Sequence, residues 1–142
     1  MKGFAVAVGS LALAACSQSA DPEQTSGAEA PAAAPKAFAE LKGNAAQGEK
    51  AFVQCRVCHA VQPNKAGVGP TMHEVVGRKA GSLPGYAYSA AMKASGLTWT
   101  GEELYRFLEA PMQVVPGTKM AYAGLKDAQK RADVIAYLET LK

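Results

Sequence analysis

The run Cys55-Arg56-Val57-Cys58-His59 restricts this chain more than any other feature, because two thiols two residues apart with an imidazole directly after them suit few chemistries. Zinc, dithiol exchange and covalent haem are the three. A tetrahedral zinc site needs four ligands, and beyond Cys55, Cys58 and His59 the domain offers only His73 and carboxylates, with no second paired-ligand half. A thioredoxin-like dithiol belongs in a βαβ setting, and no strand pattern is present. Cys-x-x-Cys-His is also the attachment signature for haem: the two thiols add across the vinyl groups, and the adjacent histidine is thereby placed beneath the iron. The spacing serves a tight turn that brings all three groups to one face of the haem.

The chain around the motif supplies the context that haem attachment requires. With 142 residues it accommodates one ordinary domain and some additional chain. Residues 1–15, MKGFAVAVGSLALAA, have one early lysine and then an apolar, alanine-rich run ending in small side chains, the layout of a secretory signal. The run is shorter than the ~20 apolar residues a membrane-spanning helix needs. It ends in Leu13-Ala14-Ala15-Cys16, which resembles the lipobox of bacterial lipoproteins, in which the cysteine is acylated and becomes the first residue. The alternative is a cut at a nearby site such as Ala12-Leu13-Ala14, which would leave an unpaired thiol on an exported protein. Residues 16–43 form an Ala/Pro-rich linker. Its composition cannot bury enough surface to offset chain entropy, so a flexible tether up to about residue 35 is expected, with a coil span of roughly 30 Å for the linker.

From residue 44 to 142 the pattern changes to periodic apolar positions broken by glycine and proline turns, which gives an all-α domain. The first helix is expected within 44–55. A second is expected over 100–111, with Thr100 as N-cap, Glu103 at the capping-box position and Pro111 as terminator. The clearest lies within 126–142, with Asp127 as cap and Ala128, Ala132, Val134 or Ile135, Leu138 and Leu141 at helical spacing. Long turn-rich stretches over 60–70 and 77–88 lie between them. So few regular elements leave a thin core, and a buried prosthetic group would explain what the loops wrap.

The segments GEKAFVQCRVCHAV, GVGPTMHEVVGRKAGSLPGYAYSAAMKASGLTW, VPGTKM and GLKDAQKRADVIAYL, in this order, resemble a class I cytochrome c of the mitochondrial and alphaproteobacterial type. The likeness covers nearly all of residues 44–142. It implies the class I cytochrome c fold, few short helices and long loops around one haem c bonded to Cys55 and Cys58. It further implies His59 and Met120 as the two iron ligands, with Met72, Met92 and Met112 as core or surface residues and His73 in a loop. Pro70 would offer its carbonyl to the far nitrogen of His59. Arg78, Tyr88 and Trp99 would meet a haem propionate, Gly48 and Phe52 would meet Val134 and Tyr137, and Thr118 would lie beside the methionine. The function implied is single-electron transfer by a monomer held at a membrane in the bacterial periplasm. The donor would be quinol:cytochrome c oxidoreductase and the acceptor cytochrome c oxidase or a photosynthetic reaction centre. A haem peroxidase would need an open iron position, and a fixed subunit of a respiratory complex would use the same domain without shuttling.

Two departures from the family alter the expectation. Phe107 and Met92 stand where mitochondrial members usually have tyrosine and often asparagine, so only Thr118 remains of the polar network around the methionine. Residues 43–142 hold twelve Lys and Arg against eight Asp and Glu, a net +4, and nothing suggests nucleic acid. Yet Met112 and Gln113 occupy two positions usually held by docking lysines, leaving Lys119 and Lys126 and weaker steering. Confinement to the same membrane as the partner would offset that loss. A drier pocket leaves the full donor strength of the Met120 sulfur to iron. Phe107→Tyr should therefore lower the pH at which the methionine ligand is lost, as read by absorption spectroscopy; an unchanged transition would count against the drier-pocket reading.

Overall fold

The computed structural model describes residues 37–142, so the signal-like segment, Cys16 and most of the linker lie outside the described residues. Among the described residues five α-helices follow one another: α1 (Ala45–Ala51), α2 (Ala90–Ala94), α3 (Gly101–Glu109), α4 (Pro111–Val114) and α5 (Ala128–Leu138). Among the described residues there is no strand, and the one extended pairing is an isolated antiparallel bridge between Lys79 and Thr98. No helix among them is long and apolar enough to cross a membrane.

Each longer helix begins where a side chain satisfies a free backbone N–H, a cap worth about 1 kcal/mol. Asn44 accepts from the Gln47 amide at 3.1 Å, Thr100 from Glu103 at 3.2 Å and Asp127 from Lys130 at 3.0 Å. Glu103 holds the expected position, but its carboxylate pairs with Arg106 at 3.1 Å. Helix α3 stops at Glu109 because Ala110 turns to φ −151°, and Pro111 then opens α4 at the first-turn position that tolerates a missing N–H. α2 was not foreseen in the sequence, although it has the same start signal: Ser89 accepts from the Met92 amide at 3.1 Å. It is short, and Gly96 ends the segment at φ +69°.

The helices converge where α1 crosses α5. A side chain on buried Gly48 would meet the Asp133 carbonyl and come within 2.9 Å of Tyr137 Cβ, so the two backbones approach as only glycine permits. Phe52, in the helical turn that continues α1, packs its ring 5.4 Å from that of Tyr137. Asp133 is buried and accepts from the Asn44 amide at 2.8 Å and from Gln129 at 2.9 Å, tying the start of α1 to the middle of α5. The expected contact of Gly48 and Phe52 with the last helix is therefore present, with Asp133 as a further partner. Val134 is buried in the same core.

The packed chain starts before the boundary expected at residue 44. Phe38 lies in a single 3-10 turn (Phe38–Glu40) and stacks 5.3 Å from the ring of Tyr105. A Cβ at Gly101 would come within 2.7 Å of the Phe38 ring, and Gln129 donates to the Lys42 carbonyl at 2.9 Å. Composition alone misses this, because one aromatic among alanines reads as linker. Gly48→Ala should destabilise the domain by about 1–3 kcal/mol, the usual cost of overpacking, seen as a lower midpoint in chemical denaturation.

Candidate haem site

The Cys-x-x-Cys-His segment leaves the α1 end as a closed turn. Cys55 donates to the Phe52 carbonyl at 2.8 Å, and Cys58 and His59 both donate to the Cys55 carbonyl, at 3.1 and 2.9 Å. Arg56, inside the motif, donates to the Tyr137 hydroxyl at 2.8 Å and to Glu49 at 3.0 Å. The turn is thus fastened to both members of the α1–α5 crossing. Cys55 is half-buried and Cys58 exposed.

Three observations separate the candidate chemistries. Burial, reinforced by the neighbouring Cys58, pushes the Cys55 thiol up to about 11, whereas an exchanging dithiol needs a lowered value. Among the described residues no three His, Cys, Asp or Glu side chains are gathered as a four-ligand zinc site would need. His59 Nδ1 lies 2.8 Å from the Pro70 carbonyl. A carbonyl can only accept, so Nδ1 carries the proton and Nε2 keeps its lone pair for a metal. Burial lowers the His59 pKa, and the Pro70 bond partly raises it again.

A cradle keeps that ring in place. A Cβ on buried Gly69 would overlap the imidazole, coming within 2.6 Å of Nδ1, so only glycine lets the loop lie against it. Gly69 donates to the Cys58 carbonyl at 2.9 Å, and Gly67 donates to Gly69 at 3.0 Å. Paired thiols with an oriented imidazole held by backbone fit the two bonds and one axial ligand that covalent haem requires. Val57, inside the motif, and Val68, before Gly69, are 81% and 80% exposed.

Arg78 is near Tyr88, and the backbones of Arg78 and Trp99 are hydrogen-bonded. Trp99 donates to the Arg78 carbonyl at 2.9 Å beside the Lys79–Thr98 bridge, and the Tyr88 phenol senses the Arg78 charge. Burial lowers the Arg78 pKa while Tyr88 and Glu74 raise it. The guanidinium already donates to the Thr71 and His73 carbonyls, at 2.8 and 2.9 Å, a feature the sequence did not disclose. The Tyr88 phenol is raised by burial first and lowered by Arg78 second.

Met120 is half-buried at the end of a turn opened by Gly117 at φ +89°. Its amide donates to the Thr118 hydroxyl at 3.2 Å, so that oxygen serves the backbone of the loop. Lys119 donates to the Ala87 carbonyl at 2.9 Å, fastening the Met120 turn to the 83–88 loop, which Tyr86 fastens in turn to Val68 at 2.6 Å. Of the other methionines, Met92 is buried in α2, Met72 packs against the core and Met112 is 53% exposed. Phe107 is buried with its ring 4.8 Å from Trp99. His73 is a loop residue beside Glu74, 3.8 Å from its carboxylate.

A family model described as cytochrome c matches residues 45–142. Cytochrome c2 of Rhodomicrobium vannielii is 56% identical over 105 residues, spanning 73% of this chain and 84% of that protein. Cytochrome c2 of Rhodopila globiformis is 48% identical over 101 residues, spanning 70% and 95%. The solved structure of cytochrome cH from Methylobacterium extorquens superposes with a TM-score of 0.66 at 52% identity, covering 69% of this chain and 99% of that one. With the turn, the cradle and this likeness all falling on the same residues, the chain belongs to the cytochrome c family: it binds one haem c covalently through Cys55 and Cys58, and it carries electrons rather than catalysing a reaction.

Proposed function

We propose that this cytochrome shuttles single electrons along a bacterial periplasmic membrane, from quinol:cytochrome c oxidoreductase to cytochrome c oxidase. A photosynthetic reaction centre would be the acceptor in a phototroph. The observation that carries the reading is the His59–Pro70 bond at 2.8 Å, which leaves one ring nitrogen free for iron in a turn that holds both thiols. Haem, when bound, supplies a one-electron iron couple. His59 and Met120 would hold the iron, the imidazole made a stronger donor by Pro70 and the thioether favouring a high potential. Arg78, Tyr88 and Trp99 would pair and hydrogen-bond a propionate that burial would otherwise strand. Thr118 would set the shape of the Met120 turn, and the apolar Phe107 with Trp99 would keep water away from it. Relatives named cytochrome c2 and cytochrome cH support a soluble-type carrier domain.

The membrane part of the proposal rests on sequence. Residues 1–15 act as the export signal, Cys16 is acylated, and the chain from there to about residue 37 is the leash of a monomeric haem domain. Two or three acyl chains hold a protein firmly where one does not.

Oxidised and reduced absorption spectra test the iron ligands. The weak near-infrared band of sulfur bound to ferric iron should be present and should disappear in Met120→Ala; its absence from the unaltered protein would refute methionine ligation. For the anchor, Cys16→Ser should shift the protein from the membrane fraction to the soluble periplasmic fraction. Equal membrane retention of both forms would eliminate lipidation at Cys16, and co-purification with an oxidase at high salt would mark a fixed subunit instead of a shuttle.

A further inference from the structure

Arg131 of α5 is 0% exposed, and its Nε has no hydrogen-bond partner. Such a group calls for a reason, since a well-packed apolar side chain of similar volume is generally no less stable in a core. The rest of the side chain supplies one. Nη1 donates to two successive carbonyls, Leu125 and Lys126, both at 2.8 Å, and the guanidinium carbon lies 4.1 Å over the Tyr105 ring of α3. Nη2 is 3.5 Å from Glu109, a carboxylate open enough to solvent to contribute little.

Those two carbonyls belong to the segment that returns from Met120. The same segment is held against the end of α3: Leu125 donates to the Leu108 carbonyl and Lys126 Nζ to the Glu109 carbonyl, both at 2.7 Å. Gly124, at φ +100°, leaves no room for a side chain, because a Cβ would overlap the Glu109 carbonyl. Besides the exposed bond from the Tyr122 hydroxyl to Gln54 at 3.4 Å, the Met120 arm therefore has two anchors. Lys119 holds it to the 83–88 loop on one side, and the 124–126 segment holds it to α3 and α5 on the other. The second anchor is the one built around a buried charge.

We infer that Arg131 is a positioning residue for electron transfer: by clamping the Leu125 and Lys126 carbonyls it keeps the Met120 arm closed and so sets how readily the sulfur leaves the iron. This deepens the reading of Met120 as axial ligand and rests on it. A lysine is not equivalent, since an ammonium has no planar face to lie over Tyr105 and no second nitrogen to face Glu109 while it donates to the two carbonyls.

The test uses full-length holoprotein with Arg131→Met, which keeps much of the volume over Tyr105, and Arg131→Lys, which keeps the charge. Two readouts are made on each: imidazole titration of the ferric near-infrared band, and amide exchange at Leu125 against Gly48 and Glu139 at the α1–α5 crossing. With the buried bonds lost, imidazole should displace the sulfur at about tenfold lower concentration, and Leu125 should exchange about tenfold faster with Gly48 and Glu139 unchanged. Unchanged imidazole competition, or a uniform loss of protection at all three amides, would reduce Arg131 to a structural residue and overturn the inference. An unaltered protein without the band would overturn the Met120 assignment separately, and Leu125 exchange would still decide whether Arg131 holds the arm.

Discussion

The close approach of Gly48 to the Asp133 backbone and Tyr137 Cβ is the constraint on which the rest of the domain depends. It brings α1 and α5 together at a distance that other side chains would prevent, and Phe52 and Tyr137 fill the space beside it. The turn that carries both thiols begins where α1 ends, so its position is inherited from this crossing. Arg56 completes the connection by bonding from inside the motif to Tyr137. A displacement of one helix would therefore move the attachment cysteines, and with them the imidazole that Pro70 and Gly69 hold in place.

Around that rigid corner, the loops are positioned by hydrogen bonds more than by regular structure. Arg78 binds the carbonyls of Thr71 and His73, Tyr86 that of Val68, Lys119 that of Ala87 and Arg131 those of Leu125 and Lys126. In each case a long side chain with a donor at its tip reaches a carbonyl far away in sequence or around a turn. This is how a chain with few helices gives partners to backbone oxygens that no helix satisfies. It also gives cations such as Lys119 a use besides surface charge, since Nζ can satisfy a carbonyl and still face solvent.

Local signals were legible in the sequence wherever one residue type performs one physical task. Thr100 and Asp127 cap their helices as their positions suggest, and the glycines at 48 and 69 mark close approaches. Cys-x-x-Cys-His was readable because its chemistry depends on spacing alone. What escaped was long-range pairing: the role of Arg131 in binding two carbonyls, the placement of Phe38 on Tyr105 and the fastening of Tyr86 to Val68. No local pattern distinguishes an arginine that will be wholly buried from one that will be solvated. The short helix α2 lay between these cases, with a cap residue present but too few apolar positions to set a period.

The placement of Phe38 governs how mechanical load enters the molecule. A pull on the N-terminal chain reaches the Phe38 ring, wedged between Gly101 and Tyr105, before it reaches Asn44 and the start of α1. The aromatic pair and the Gln129–Lys42 bond fasten the chain to α3 and α5 before it reaches α1. The helix that leads into the attachment turn is therefore entered from a point the core already holds.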